Sequence, residues 1–259
     1  MAKNGPDLFD TQSAASKAYT AKDIEVLEGL EPVRRRPGMY IGGTDASAMH
    51  HLASEILDNS MDEAVAGHAA RIEMELKPGN VLVISDNGRG IPIDPHPKFK
   101  NKSALEVIMT TLHAGGKFDG KAYETSGGLH GVGASVVNAL SEWMEVEVAR
   151  DRHAWKLRFE RGHVAGKLKD LGAVNRRGTV TSFKPDPQIF GSLQFDPHRL
   201  YRAAKSKAYL FRGVEIRWKC ASALIADETP TEEVLKFPGG LADYLQQEIG
   251  KTQTVTHRA

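Results

Sequence analysis

The segment from about Ala46 to Ala66 carries a clear helical pattern, and this pattern limits what the surrounding chain can do. Its apolar residues recur at intervals of three and four, and Gly67 follows as a C-terminal stop. Leu52 and Ile56 belong to the apolar stripe, which has to be buried against other structure. We therefore predict a long helix that packs on a core.

A second row on the same predicted helix is polar. His51, Glu55 and Asn59 are spaced four residues apart, about 100° around the helix from the apolar row. They should lie side by side at the edge of the core, where a cleft would be. A carboxylate beside a carboxamide can orient a water and ligate Mg²⁺. Such pairs are also common on solvated surfaces, and an edge histidine often has only a structural role.

Two strands are predicted directly after this helix. Residues 71–76 alternate strictly between apolar and polar side chains, residues 81–85 are rich in β-formers, and residues 78–80 supply turn chemistry. The second strand ends at Asp86, in the run Asp-Asn-Gly-Arg-Gly-Ile-Pro92. A carboxylate beside glycines can accept a hydrogen bond from an exocyclic amine, although such a run can equally be a simple turn.

Two glycine-rich segments suit phosphate groups. One is His113-Ala-Gly-Gly-Lys117, and the other is Ser126 to Gly133, directly before the apolar helix predicted at 134–140. Backbone N–H groups at a helix start attract anions, and Lys117 could add a point charge. Neither spacing matches the Rossmann or P-loop pattern, so a nucleotide site here would be of another kind.

The remaining pattern favours an α+β fold with one mixed sheet. Further strands are predicted at 144–149, 155–160, 178–184 and 214–219, and further helices at 103–113, 197–211 and 241–249. Residues 34–43 and 92–102, which contain proline and turn-forming residues, are predicted to be loops.

Composition excludes several classes of protein. The chain has 34 basic and 33 acidic residues, a formal charge of +1, which argues against a dedicated nucleic-acid binder, although local basic clusters occur at Arg34–Arg36 and Lys98–Lys102. A single cysteine excludes an internal disulfide and favours a reducing compartment. With no apolar run long enough to span a membrane, we expect a soluble cytoplasmic protein without a membrane partner.

Taken together in this order and spacing, the polar helix row, the run after Asp86 and the two glycine segments resemble the Bergerat-fold (GHKL) ATPases. Flanking runs narrow the resemblance to the ATPase component of bacterial type IIA topoisomerases: Glu31 to Ile41, Asp62 to Gly67, Leu112 to Phe118 and Ser126 to Leu140. The resemblance covers about residue 19 onward. It implies a two-layer sandwich, with a mixed, mostly antiparallel sheet covered by helices on one face, and an ATP lid.

Three short runs look more like the B subunit of topoisomerase IV than the B subunit of gyrase: Glu31 to Arg36, Lys205 to Leu210 and Gly213 to Ile216. The resemblance then implies an ATPase whose ATP-driven dimerisation gates DNA strand passage for decatenation and relaxation. It also implies a heterotetramer with the A subunit of topoisomerase IV, through which DNA is bound. There are three alternatives: the ATPase of a gyrase B subunit, an ATPase of the mismatch-repair type, or a module that binds ATP without hydrolysing it.

The resemblance assigns roles residue by residue, with ATP and Mg²⁺ as the ligands. Glu55 would be the general base supported by His51, and Asn59 would hold Mg²⁺. Asp86 would accept from the adenine amino group, with Thr179 assisting through water. The base pocket would be lined by Arg89, Gly90, Ile91, Pro92 and Ile108. Phosphates would be held by Gly115, Gly116, Lys117, Leu129, His130, Gly131, Val132 and Gly133, and Tyr19 would reach the nucleotide of the neighbouring protomer.

The same resemblance divides the chain into three parts. Residues 1–18 would be a flexible arm, 19–225 the GHKL ATPase domain, and 226–259 a linker and the start of a transducer domain. The transducer lysine that family members place on the γ-phosphate would lie beyond Ala259, so we expect this chain to bind ATP but to hydrolyse it and dimerise weakly. The lid start at Lys98–Lys102 is more basic than the acidic, glycine-containing sequence usual there.

Overall fold

The computed structural model describes residues 27–114 and 133–250, and it begins with short helices where we predicted a loop. Helix α1 spans Glu31–Arg35 and α2 spans Gly38–Ile41, so the loop prediction for residues 34–43 was wrong. Pro37, part of the Pro-Gly step that suggested a loop, stands at the N-terminus of α2, where a missing N–H costs no hydrogen bond. Gly42 ends α2 with a φ of 81°.

The long predicted helix is α3, Ala46–Val65. Asp45 caps it by accepting a hydrogen bond from the Ala48 N–H at 2.8 Å. Its apolar stripe, which includes Leu52 and Ile56, is buried. The long helix of the prediction is therefore present.

The strands, in chain order, are β1 Arg71–Lys77, β2 Val81–Asp86, β3 Pro95–His96, β4 Phe99–Ser103, β5 Ser141–Arg150, β6 His153–Glu160, β7 His163–Val164, β8 Lys169–Ala173, β9 Gly178–Pro185, β10 Glu215–Cys220 and β11 Glu232–Leu235. Among the described residues, nine of them form one sheet in the order β11-β10-β1-β2-β9-β5-β6-β7, with β8 also paired to β6. Strands β1 and β10 run parallel, and the other pairs in this sheet are antiparallel. The predicted mixed, mostly antiparallel sheet is confirmed.

The other helices are α4 Ala104–Thr110, α5 Gly133–Ala139, α6 Pro187–Phe190, α7 Pro197–Leu210 and α8 Leu241–Ile249, with a 3₁₀ turn at Ser222–Leu224. Burial alternates along β1: Ile72, Met74 and Leu76 are fully buried, whereas Arg71 and Glu73 are exposed. Such alternation is typical of a sheet that is covered on one face and open on the other. The α+β two-layer fold class is confirmed. Within the described residues, no helix is long and apolar enough to cross a membrane.

Strands β3, β4, β7, β8 and β11 and the short helix α6 were missed. Residues 92–102, predicted as a loop, contain most of the β3–β4 hairpin, whose residues lack apolar alternation. Strand β11 pairs with β10 although it lies in the segment predicted to be a linker. Helix α4 is shorter than the predicted 103–113: it ends at Thr110, because Thr111 has an extended backbone conformation.

A buried histidine of α3, His50, connects this helix to the start of α7. The Nδ1 of His50 lies 2.6 Å from the Ala46 carbonyl, and its Nε2 accepts from the Asp196 N–H at 2.9 Å. A carbonyl only accepts and an N–H only donates, so the ring is the neutral Nδ1–H tautomer. Burial lowers the pKa of His50, in keeping with a neutral ring.

A buried carboxylate fastens α1 to the sheet. Asp186 is fully buried, and its Oδ2 accepts from Arg34 at 2.7 Å and from Arg161 at 2.9 Å. Arg34 also donates to the Ala139 carbonyl at the end of α5. Burial works to raise the pKa of Asp186, but the hydrogen bonds from the Gln188 N–H and the two arginines outweigh it, so the pKa lies below its usual value.

Candidate functional site

The polar row of α3 is present and longer than predicted. His51 Nε2 lies 3.1 Å from Glu55 Oε1, so the two predicted catalytic side chains are in contact. Asn59 follows one turn later, and Glu63 continues the row after another turn. Sequence reasoning missed Glu63, although its spacing of four residues from Asn59 was the available signal.

Glu55 faces the first residue of α5. A Cβ atom added at Gly133 would overlap the Oε2 of Glu55, so a larger residue there would displace the Glu55 carboxylate from its present position. The end of the second glycine segment therefore lies against the candidate base.

Asp86 lies at the end of β2 and is held by three donors. Its Oδ1 accepts from the Gly88 N–H at 2.8 Å and from the Thr179 N–H at 3.4 Å, and its Oδ2 accepts from Ser60 Oγ at 3.3 Å. Burial raises the pKa of Asp86 to about 6, with the backbone hydrogen bonds from Gly88 and Thr179 opposing the rise. At neutral pH the group is thus a partly desolvated carboxylate that accepts hydrogen bonds.

Strand β9 approaches Asp86 through a glycine. Gly178 has a φ of 114°, and a Cβ atom there would overlap the Asp86 carbonyl oxygen. Thr179, predicted to assist Asp86 through water, donates its backbone N–H directly to the Asp86 carboxylate. Its position beside Asp86 follows from the close contact of β9 with β2.

The loop after Asp86 is clamped to α3. Both oxygens of Glu63 are used: Oε2 accepts from the Arg89 N–H at 3.0 Å and from Arg89 Nε at 3.2 Å, and Oε1 accepts from Nη2 at 2.7 Å. Arg150 adds a second clamp by donating to the Gly90 carbonyl at 3.1 Å. Gly90 has a φ of 78°, which favours glycine, and a Cβ atom there would lie 2.9 Å from the Ala149 carbonyl oxygen. Sequence reasoning also missed Arg150.

The apolar residues predicted to line a base pocket are placed at different depths. Ile91 and Ile108 are half-buried and pack against the core, whereas Pro92 is exposed. Ile91 and Pro92 follow the clamped loop, and Ile108 lies on α4. Eight predicted ligand contacts lie outside the described residues and remain predictions: Tyr19, Gly115, Gly116, Lys117, Leu129, His130, Gly131 and Val132.

A magnesium ion would have to be held largely by a nucleotide. In residues 27–114 and 133–250, no group of three or more His, Cys, Asp or Glu side chains could hold a metal ion. Asn59 supplies a neutral oxygen between Glu55 and Glu63. One protein oxygen with phosphates and waters is a donor set that Mg²⁺ accepts, so the residues present fit the ion.

A family model described as histidine kinase-, DNA gyrase B- and HSP90-like ATPase matches residues 44–188. The B subunit of DNA topoisomerase 4 from Caulobacter vibrioides is 60% identical over 94% of this chain and 35% of its own length. Its counterpart from Rickettsia bellii is 55% identical over 93% and 37%, and the B subunit of DNA gyrase from Thermotoga maritima is 48% identical over 88% and 35%. The chain therefore spans about a third of the length of these curated relatives.

A solved structure has the same fold. The 43K ATPase domain of Thermus thermophilus gyrase B, in complex with an aminocoumarin, superimposes with a TM-score of 0.76 at 41% identity. The match covers 88% of this chain and 57% of that one.

Proposed function

This chain belongs to the family of histidine kinase-, DNA gyrase B- and HSP90-like ATPases, and on that premise we propose that it binds and hydrolyses ATP as part of a type IIA topoisomerase B subunit. The observation that carries the proposal is the order of side chains along α3: the His51–Glu55 pair, then Asn59 one turn later, then Ser60, which donates to the half-buried Asp86 carboxylate at 3.3 Å. The 60% identity to a topoisomerase IV protein, against 48% to a gyrase protein, supports the topoisomerase IV type.

Asp86 would recognise the adenine. A carboxylate oxygen accepts a hydrogen bond from an amino group, and at neutral pH Asp86 is mostly ionised because its pKa is about 6. The clamped loop at Arg89 and Gly90 would form one wall beside the base, with Ile91, Pro92 and Ile108 around it.

Glu55 would polarise the attacking water. The His51 ring, 3.1 Å from its Oε1, holds the carboxylate in place, and positioning dominates catalysis of phosphoryl transfer to water. Asn59 would hold Mg²⁺, which when bound neutralises charge on the phosphate oxygens. Lys117 and the backbone amides of residues 129–133 would bind the phosphates.

For the whole protein, we propose the activity of its relatives. ATP-driven self-association would gate DNA passage for decatenation and relaxation, in a cytoplasmic heterotetramer with the A subunit of topoisomerase IV. The names of the topoisomerase relatives support this assignment. An assay of decatenation against negative supercoiling, with the A subunit present, separates this proposal from the gyrase alternative.

Replacing Glu55 tests the site itself. In the longer protein, Glu55→Ala should lower ATP hydrolysis by about 10²- to 10⁴-fold, while calorimetry shows that binding of a non-hydrolysable ATP analogue is kept. Glu73→Ala, on the exposed face of β1, is the matched control and should leave turnover unchanged. Turnover that survives Glu55→Ala would show that the base is another group.

A further inference from the structure

The β3–β4 hairpin is a basic projection without acidic residues. Between Pro95 and Ser103 it carries Lys98, Lys100 and Lys102 and no Asp or Glu. All three lysines are exposed, and the Phe99 ring beside them is 44% exposed. This concentration of positive charge contrasts with the near-neutral chain as a whole, whose formal charge is +1.

The hairpin holds these lysines in a defined arrangement. Its strands pair Pro95 with Ser103 and His96 with Phe99. At the tip, the Lys98 N–H donates to His96 Nδ1 at 3.2 Å, and the His96 and Phe99 ring centroids are 5.5 Å apart. Residues two apart on a strand point to the same side about 6.8 Å apart, so Lys100 and Lys102 lie side by side.

Two of the lysines lack a carboxylate partner among the described residues. Lys102 is 3.3 Å from Glu106, whereas Lys98 and Lys100 form no ion pair there. Many other lysines of the described chain lie within 4 Å of a carboxylate: Lys77, Lys156, Lys184, Lys207, Lys219 and Lys236. Lys98 and Lys100 are therefore available to an external anion.

We propose that the β3–β4 hairpin binds the phosphate backbone of double-stranded DNA through Lys98 and Lys100. This rests on the proposed function only in that DNA is the substrate of the whole protein. Lysine ammonium groups neutralise phosphates as point charges and release counterions, without reading base sequence. An extended polyanion fits neighbouring exposed charges, and the hairpin itself, between Pro95 and Ser103, carries no carboxylate that would repel phosphates.

The hairpin also connects two parts of the candidate nucleotide site. It begins three residues after Pro92 and leads into α4, which carries Ile108. Its base is closed by the Ala104 N–H donating to the Asp94 carbonyl at 2.8 Å, and Ser103 caps α4. DNA bound at the hairpin would thus lie beside the segments that line the adenine pocket.

The test compares Lys98→Gln/Lys100→Gln with a matched control, Lys167→Gln/Lys169→Gln. The control removes two exposed lysines at the same spacing near β8. Fluorescence anisotropy of a labelled duplex is measured with the 259-residue chain, from about 50 to about 200 mM salt. Two lost phosphate contacts should reduce the slope of log K against log salt by about 1.8 and lower affinity roughly 60-fold at about 0.1 M salt. The control should keep the wild-type slope, and circular dichroism should show both variants folded.

Several results would overturn the proposal. The proposal fails if the wild type does not bind the duplex, or if the hairpin variant keeps the wild-type slope of log K against log salt. It also fails if the control variant loses as much affinity as the hairpin variant. Tighter binding of polyglutamate than of duplex, lost in the hairpin variant, would assign the surface to an acidic protein instead. Calorimetry of an ATP analogue with the wild type keeps the two proposals apart. Nucleotide binding without duplex binding refutes only this one, and duplex binding without nucleotide binding refutes only the ATP site.

Discussion

We predict that Asp86→Asn stabilises the nucleotide-free chain at neutral pH while weakening its binding of ATP analogues. The folded-state pKa of Asp86 is about 6, against 3.8 for the free group. A difference of this size corresponds to up to about 3 kcal/mol, at about 1.4 kcal/mol per pKa unit. This free energy is the cost of keeping the carboxylate ionised in its buried surroundings.

The sign follows from proton binding. Because the folded-state pKa is raised, the folded chain binds more protons than the unfolded chain between pH 3.8 and about 6. The free energy of unfolding therefore falls as pH rises through this window, and the full cost is present above about pH 6. Asparagine does not titrate and removes this cost.

The groups that hydrogen-bond to Asp86 can also hydrogen-bond to the asparagine amide. Its Oδ1 can still accept from the N–H groups of Gly88 and Thr179, and its Nδ2 can donate to Ser60 Oγ, which also accepts. An amide nitrogen facing the adenine amino group would place donor against donor, so affinity for the nucleotide should fall.

Urea denaturation from about pH 5 to about pH 8 measures the stability, and calorimetry of an ATP analogue measures binding. Asp151→Asn, which changes an exposed carboxylate, is the control and should shift stability by less than about 0.5 kcal/mol. An Asp86→Asn chain that is less stable than the wild type at neutral pH would refute the stability argument. Unchanged nucleotide affinity would refute the adenine assignment.

Three further predictions concern other contacts of the fold and the site. Gly133→Ala places a methyl group against the Glu55 carboxylate, so ATP turnover of the longer protein should fall by about 10²-fold or more, with no loss of circular dichroism. Arg34→Ala removes one partner of the buried Asp186 carboxylate and should lower the free energy of unfolding by about 3 kcal/mol in urea denaturation. The control Arg35→Ala breaks only the exposed pair with Glu31 and should lower it by less than about 1 kcal/mol. Equal losses would contradict the buried network. The lowered pKa of His50 means that stability falls as pH drops through about 6.5, so His50→Gln should flatten this dependence, and parallel curves would exclude His50 as its source.

Elements with strong local patterns were predictable from the sequence. Helix α3 shows the helical period and β1 the strand period, and these two periods also fix which side chains share a face. His51, Glu55 and Asn59 could thus be placed on one row, and Asp86 at a strand end, before their partners were known.

Contacts between distant segments were not predictable in this way. Glu63 belongs to the same row, but its partner Arg89 lies 26 residues along the chain. Arg150 ends a strand, and nothing in its neighbourhood indicates that it donates to the Gly90 carbonyl. Strand β4 was missed because its lysines remove the alternation that identifies half-buried strands, and β11 because a short edge strand has little pattern of its own.

The position of β9 between β2 and β5 has a consequence for how the protein is made. When a ribosome has completed β2, the strand that will occupy its free edge is still about 90 residues away, since Ser85 pairs with Val180. Until then, the apolar β2 edge is open to pairing with other chains. We expect nascent chains that end before residue 178 to need chaperones, and mutations that weaken the β2–β9 contact to lower the soluble yield before they alter any measured rate.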